Sequence, residues 1–143
     1  LVMLAREAGI LVTSLPGACA CVTALTMSGL STGRFAFEAF LPPDKKLRAV
    51  RLKELQTETR TIILYEAPHR LVKTLEQFAE FFGPERECSV AREISKKFEE
   101  HKRGTLSEVA SWYRENEPKG EIVIIVAGAP ERKKEKKQYD KKD

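Results

Sequence analysis

Two histidines, three cysteines and one tryptophan in 143 residues exclude several chemistries by their scarcity. The cysteines (Cys19, Cys21 and Cys88) are odd in number and show no CxxC and no Cys/His metal spacing. Neither a disulfide framework nor a zinc site is expected from them, and buried thiols in a reducing cytosol fit better. No apolar run approaches the ~20 residues that span a bilayer. Arg6 and Glu7 interrupt the first apolar stretch, so no signal peptide is read there and a cytoplasmic location is expected. GxGxxG, P-loop, GxSxG and HExxH patterns are all missing. Glu99 and Glu100 are neighbours whose side chains diverge on a strand, and His69 and His101 have no visible partner, so no metal site is expected.

What is present is a 42% hydrophobic chain, enough for one real core. Its net charge of +4 is unevenly placed. Residues 131–143 hold seven basic and four acidic side chains, which leaves the body at 18 basic and 17 acidic. Whole-chain charge therefore says little about nucleic acid, and the tail from Glu131 is expected to be disordered.

The organising stretch is Thr61-Ile-Ile-Leu-Tyr-Glu-Ala-Pro-His-Arg-Leu71. Its β-branched and aromatic run without polar alternation predicts a strand covered on both faces. Pro68 then stands where a first-turn proline costs no hydrogen bond, with Glu66 or Ala67 as cap. Leu71, Val72, Leu75, Phe78, Ala79 and Phe82 recur at helical spacing, and Gly83-Pro84 stops the helix. The corner gathers Glu66, His69 and Arg70 beside free N–H groups. That suits an anion or a polar ligand edge, and equally an ordinary joint whose polar residues face water.

Elsewhere the spacing predicts the end of a helix over Leu1–Ala8 and a strand over Ile10–Leu15. A small-residue helix is expected over Ala18–Ser28, on which Cys19 and Cys21 point to different faces. Phe35–Phe40 reads as a strand. Asp44 caps a helix opening with Lys45, Lys46, Arg48, Arg51 and Lys53 around Leu47, Val50, Leu52 and Leu55. That cationic face suits either solvent or phosphate. Glu87–Ile94 reads as a strand, and a turn with a further strand follows over Ser95–Gly104. Thr105 and Glu108 form a capping box for a helix burying Leu106, Val109, Ala110 and Tyr113. Gly120–Gly128 is the last apolar strand. Leu15-Pro16-Gly17, Glu66-Ala67-Pro68 and Gly128-Ala129-Pro130 each place small residues after a strand, which suggests an adenine-sized pocket at the strand ends.

Several motifs stand in order along the chain: Gly9-Ile-Leu-Val-Thr-Ser-Leu-Pro-Gly17, Ser28-Gly-Leu30, Phe40-Leu-Pro42, Leu64-Tyr-Glu-Ala-Pro-His-Arg-Leu71, Ala91-Arg-Glu-Ile-Ser-Lys-Lys-Phe-Glu-Glu100 and Gly120-Glu-Ile-Val-Ile-Ile-Val126. Together they resemble the tetrapyrrole methylase superfamily, and within it the subgroup acting on ribosomal RNA. The resemblance implies an α/β fold, with residues 33–130 as the three-layer, mixed-sheet second domain of a two-domain enzyme. It also implies methyl transfer from S-adenosylmethionine to the ribose 2′-oxygen of a cytidine in 16S rRNA of the small ribosomal subunit. By the same resemblance Pro16 and Gly17 match the cofactor-proximal turn. Glu66, Ala67, Ala91, Arg92, Gly128 and Ala129 match segments at the adenosine end. Arg70, Arg92, Glu93 and Lys96 match charged positions of the RNA subgroup, and of these Arg70, Glu93 and Lys96 join Lys45, Lys46, Arg48, Arg51 and Lys53 as RNA-contact candidates.

The family's amino-terminal half, with its glycine-rich loop, is not found in the chain. Residues 1–32 are therefore expected to be the last strand and helix of a truncated first domain. The chain is expected to form one wall of the cleft, to be inactive alone, and to form a homodimer through the apolar surface of that remnant. Two other readings fit: a corrin or porphyrin C-methyltransferase of the same superfamily, and a non-catalytic dimerisation or RNA-docking module.

Overall fold

The computed structural model describes residues 1–131, and residues 132–143, most of the expected charged tail, lie outside them. Five strands form one mixed sheet: β1 (Phe35–Ala39), β2 (Thr61–Glu66), β3 (Glu87–Arg92), β4 (Glu100–Thr105) and β5 (Ile122–Val126). Their order is β1-β2-β5-β3-β4. Only β1 and β2 run parallel; β5 is inserted antiparallel between β2 and β3, and β4 is antiparallel to β3. The three interior places go to the three most buried strands, β2, β5 and β3, whose two faces both need cover.

Alternation along these strands builds two cores. Ile62, Leu64, Val90, Ile122, Ile124 and Val126 face one side. There α3 (Lys45–Leu55), α4 (Leu71–Phe82) and α5 (Leu106–Glu115) cover them with Leu52, Leu55, Leu75, Phe78, Val109 and Tyr113. Ile63, Ala91, Val123 and Ile125 face the other side, where α2 (Ala20–Met27) lays Cys21, Ala24 and Leu25 across them. The result is three layers, with α2 alone forming the second helical one.

Local chemistry sets the element ends. The Asp44 carboxylate accepts from the N–H groups of Lys46 and Leu47 at 3.0 and 2.9 Å and opens α3. Both halves of the Thr105/Glu108 capping box are formed. Pro68 starts a single 3₁₀ turn capped by Ala67, which leads into α4.

Four expectations differ from the structure. Residues 10–15 form no strand and are exposed, because no strand of the sheet lies beside them to take their hydrogen bonds. The helix expected from Ala18 begins at Ala20, with Cys19 extended as its N-cap. β3 ends at Arg92 rather than Ile94, because Glu93 adopts positive φ and turns the chain. Leu47 and Val50 are exposed, and α3 buries only Leu52 and Leu55. The helix α1 (Val2–Glu7) buries nothing.

Gly128 sits where a Cβ would strike the Thr59 backbone carbonyl, so Gly128→Ala should cost about 1–3 kcal/mol in urea unfolding. A cost near zero would show that this crossing is loose. Close by, Arg60 holds the Glu58 carboxyl down to about 2 from an ordinary 4.5 through its side-chain hydrogen bonds. A carboxyl with a depressed folded pKa adds stability above its unfolded value and loses it as pH falls toward 2. The expected outcome is a shallower loss of melting temperature between pH 5 and pH 2 in Glu58→Gln than in the parent chain.

Candidate functional site

At the carboxyl end of β2 the chain leaves the sheet with a carboxylate that cannot reach water. Glu66 is 5% exposed. One of its oxygens accepts from the Ala67 N–H at 2.8 Å and faces Arg70 Nε at 3.1 Å, an ion pair without hydrogen-bond angle. The other accepts from the Thr74 hydroxyl at 2.7 Å and lies 3.7 Å from Arg48. Arg48 in turn donates to Thr74 and Gln77 at 2.6 and 2.7 Å. The corner amide expected to await an outside anion is therefore met by the protein's own carboxylate. His69 stands apart, exposed.

On one side of this corner lies a cleft of about 450 Å³, lined by Ala20, Phe40, Tyr65, Glu66, Ala67, Pro68 and residues 120–123. A bulge between Phe37 and Ala39, with Ala39 at φ 53°, aims Phe40 there. Phe37 and Phe40 meet the Tyr65 ring edge-on, with centroids 5.1 and 5.8 Å apart. Burial, followed by the neighbouring Cys21 and Cys19 thiols, raises the Tyr65 phenol above its usual range. The facing wall turns at Gly120, whose φ of +88° and contact with Glu93 leave no room for a side chain. Flat rings, small residues and a volume inside the ~300–1,000 Å³ of small-molecule sites suit a planar heteroaromatic ligand.

On the other side of the corner, between α3 and α4, a recess of about 350 Å³ is lined by Lys45, Arg48, Arg70 and Lys73. It is the electropositive counterpart of the apolar cleft.

The residues singled out by sequence divide among these places. Glu66 and Ala67 line the cleft. Arg92, Glu93 and Lys96 hold its rim: Glu93 accepts from the Glu121 N–H at 2.7 Å and from Lys96 at 3.1 Å, while Arg92 donates to the Lys119 carbonyl. The Glu121 amide first, and then Lys96, keep the Glu93 carboxyl below its usual range. Ala91 is buried under α2. Pro16 and Gly17 are exposed in the segment leading to Ala20.

Gly128 and Ala129 belong elsewhere. Because β5 is antiparallel to β2, Ile122 pairs with Glu66 and Val126 with Ile62. The turn after β5 therefore emerges at the opposite end of the sheet, where Ala129 lines a broad recess with Thr59 and Arg86. The three small-residue turns do not share one pocket.

The cationic helix divides as well. Arg48 points inward, and Arg51 is bound by Glu38 and Glu54. Among the described residues Lys45, Lys46 and Lys53 form no ion pair and are exposed. Sequence reasoning missed Phe40, Tyr65 and Gly120 as cleft walls. Phe40 carried a signal, an aromatic directly before Pro42-Pro43 at a strand end. It missed also that His101 reaches Glu99 at 2.7 Å. Among the described residues no three His, Cys, Asp or Glu side chains are placed to hold a metal ion. No helix among them is long and apolar enough to cross a membrane.

Comparison with known proteins gives a consistent picture. The family profile described as Tetrapyrrole (Corrin/Porphyrin) Methylases matches residues 1–110. A protein of Synechocystis sp. named ribosomal RNA small subunit methyltransferase I is 49% identical over 90% of this chain and 46% of its own length. One of the same name from Haemophilus influenzae is 46% identical over 91% of this chain and 47% of its own. The chain thus spans about half the length of these curated relatives. Among solved structures, a cobalt precorrin-4 methyltransferase of cobalamin biosynthesis matches with a TM-score of 0.64 at 16% identity, covering 88% of this chain and 56% of that one. A uroporphyrin-III C-methyltransferase from Thermus thermophilus, complexed with S-adenyl homocysteine, matches at 0.54 and 20% identity, over 87% and 56%. At that identity the structures share the fold alone.

The Glu66 corner has a measurable signature. Arg48→Ala leaves a buried carboxylate short of one partner and should destabilise the chain by up to the ~3–5 kcal/mol of a broken buried pair, less what Arg70 and Thr74 still supply. Lys45→Ala, on the same helix but exposed, should stay within about 0.5 kcal/mol. Equal denaturation midpoints for the two variants would show that Arg48 is a surface cation.

Proposed function

This chain belongs to the tetrapyrrole (corrin/porphyrin) methylase family, and from that premise we propose that it forms one wall of an S-adenosylmethionine-dependent ribosomal RNA methyltransferase. Its substrate in this reading is 16S rRNA, and the acceptor is the 2′-oxygen of a cytidine ribose. The observation that carries the reading is the 49% identity with a protein of that name over 90% of this chain. Identity with the tetrapyrrole-modifying enzymes of known structure is 16–22%, which favours RNA over a corrin or porphyrin substrate.

The cleft between Glu66–Pro68 and Gly120–Val123 is the natural seat for the adenosine end of the cofactor. S-adenosylmethionine, when bound, supplies an electrophilic methyl group on a sulfonium. The Phe40 and Tyr65 rings, with Ala67 and Pro68, would keep water from one side of the adenine. Glu66 serves by holding the corner rigid rather than by touching the reacting atoms. A ribose hydroxyl is a weak nucleophile at neutral pH and must lose its proton as it attacks. Lys45, Lys46 and Lys53 are the side chains free to meet phosphates of the RNA, with Lys73 beside Lys45 in the recess between α3 and α4.

A single wall gives weak binding, since the ordering cost of the ligand is met by half of the contacts. Calorimetry of the isolated chain with S-adenosylhomocysteine should show no saturation in the micromolar range, and a micromolar dissociation constant would overturn the one-wall reading. The substrate is tested separately, with small-subunit rRNA. Binding should weaken with salt, and the combined Lys45→Ala, Lys46→Ala and Lys53→Ala variant should flatten the log–log slope by roughly three units, about one per phosphate contact. Deleting residues 131–143 serves as the comparison. If that deletion abolishes the salt dependence and the triple variant does not, α3 is not the RNA face. Co-purification of a coloured tetrapyrrole would replace RNA as the substrate.

A further inference from the structure

Two residues apart in a regular helix, side chains diverge by about 200°. Cys19 and Cys21 nonetheless meet, their sulfurs 3.3 Å apart. They do so because Cys19 lies outside α2, extended at φ −138° and ψ 110°, and its side chain folds back over the first turn. The pair is asymmetric: Cys19 is exposed and Cys21 buried at 8%. We propose that this thiol pair is an oxidative modification site, at which hydrogen peroxide converts Cys19 and Cys21 to an intramolecular disulfide.

The reaction balances within the pair. The Cys19 thiolate attacks one peroxide oxygen and the O–O bond breaks. That oxygen remains on sulfur as a sulfenic acid, and the other leaves as water after taking a proton. Cys21 then attacks the Cys19 sulfur and loses its proton; the S–S bond forms as the S–O bond breaks, and a second water departs. The two sulfurs give up two electrons, and one peroxide becomes two waters. Closure needs the sulfurs to approach to about 2.05 Å; the Cys19 carbonyl stays anchored, accepting from the Thr23 N–H and hydroxyl, while its exposed side chain turns toward Cys21.

The electrostatics assign the roles. The Val22 N–H, followed by the Cys21 thiol, holds Cys19 below the usual thiol range, so Cys19 is the attacking sulfur. Burial, followed by Cys19, keeps Cys21 above that range, so Cys21 stays protonated until it resolves the sulfenic acid. Cys88 is an internal control: 2% exposed and pushed up to about 12 by burial, it has neither access nor thiolate. Ala20, between the two thiols, lines the apolar cleft beside Tyr65, so the modification falls on the wall of the candidate site. The proposal does not depend on which ligand that cleft binds.

The test uses the 143-residue chain, reduced, then exposed to hydrogen peroxide, alkylated and digested for mass spectrometry. The expected product is a Cys19–Cys21 peptide lighter by two hydrogens and closed to alkylation until a reductant is added, with Cys88 unmodified. Cys19→Ser, a change at an exposed position, should abolish that mass loss. Cys21→Ser should leave Cys19 as a sulfenic acid that dimedone captures. Disulfide-linked dimers through Cys19, or a Cys19 carried to sulfinic acid while Cys21 stays reduced in the parent chain, would overturn the proposal.

Discussion

A carboxylate kept out of water must find its counter-charge inside the protein, and Glu66 finds it on two helices at once. Removing an ion from water costs several kcal/mol even after relaxation, so the partners cannot be optional. Arg48 comes from α3 and Arg70 from the 3₁₀ turn ahead of α4, while the Thr74 hydroxyl on α4 accepts from Arg48 and donates to Glu66. The ion network therefore ties α3 and α4 to the end of β2. It also shapes both hollows beside it, the apolar cleft and the cationic recess. Charge drawn inward at Arg48 is charge withdrawn from the surface, and this divides a helix of five cations into a structural part and a part left for solvent or phosphate.

The second constraint is the direction of β5. Placed antiparallel between β2 and β3, it brings residues 120–122, and not 128–129, to the end of the sheet where Glu66 leaves it. That end then collects the β1 bulge with Phe40, the rim pinned by Glu93 and Lys96, and the first turn of α2. Among the described residues three hold positive φ without being glycine: Ala39, Glu93 and Ser95. Two of them, Ala39 and Glu93, shape this cleft directly. Strained backbone of this kind gathers where a site must keep its geometry.

Both the cleft wall and the thiol pair depend on the start of α2. Had that helix begun at Ala18, Cys19 and Cys21 would have diverged, and Ala20 would sit deeper in the helix. Its start at Ala20 leaves Cys19 extended, one thiol in solvent and one in the core, next to the ring that forms part of the cleft. The apolar cleft and the thiol pair thus share the start of α2, while the exposed Lys45, Lys46 and Lys53 stand apart on α3.

What sequence alone determined here is local. The apolar run of β2, the proline-led entry to α4, the Asp44 cap and the Thr105/Glu108 box are decided by neighbours within a few residues, and each formed where spacing placed it. The family was also legible, since motifs in fixed order survive without knowledge of contacts. Tertiary structure decided the rest. Whether Ile10–Leu15 becomes a strand depends on a neighbour to bond with, and none lies beside it. Whether Gly128-Ala129 joins Glu66-Ala67 depends on strand direction, which apolar pattern does not encode, because a strand buried on both faces reads alike in either sense. Whether an arginine on α3 meets RNA or Glu66 depends on a carboxylate 18 residues away in the chain, and only the fold brings the two together.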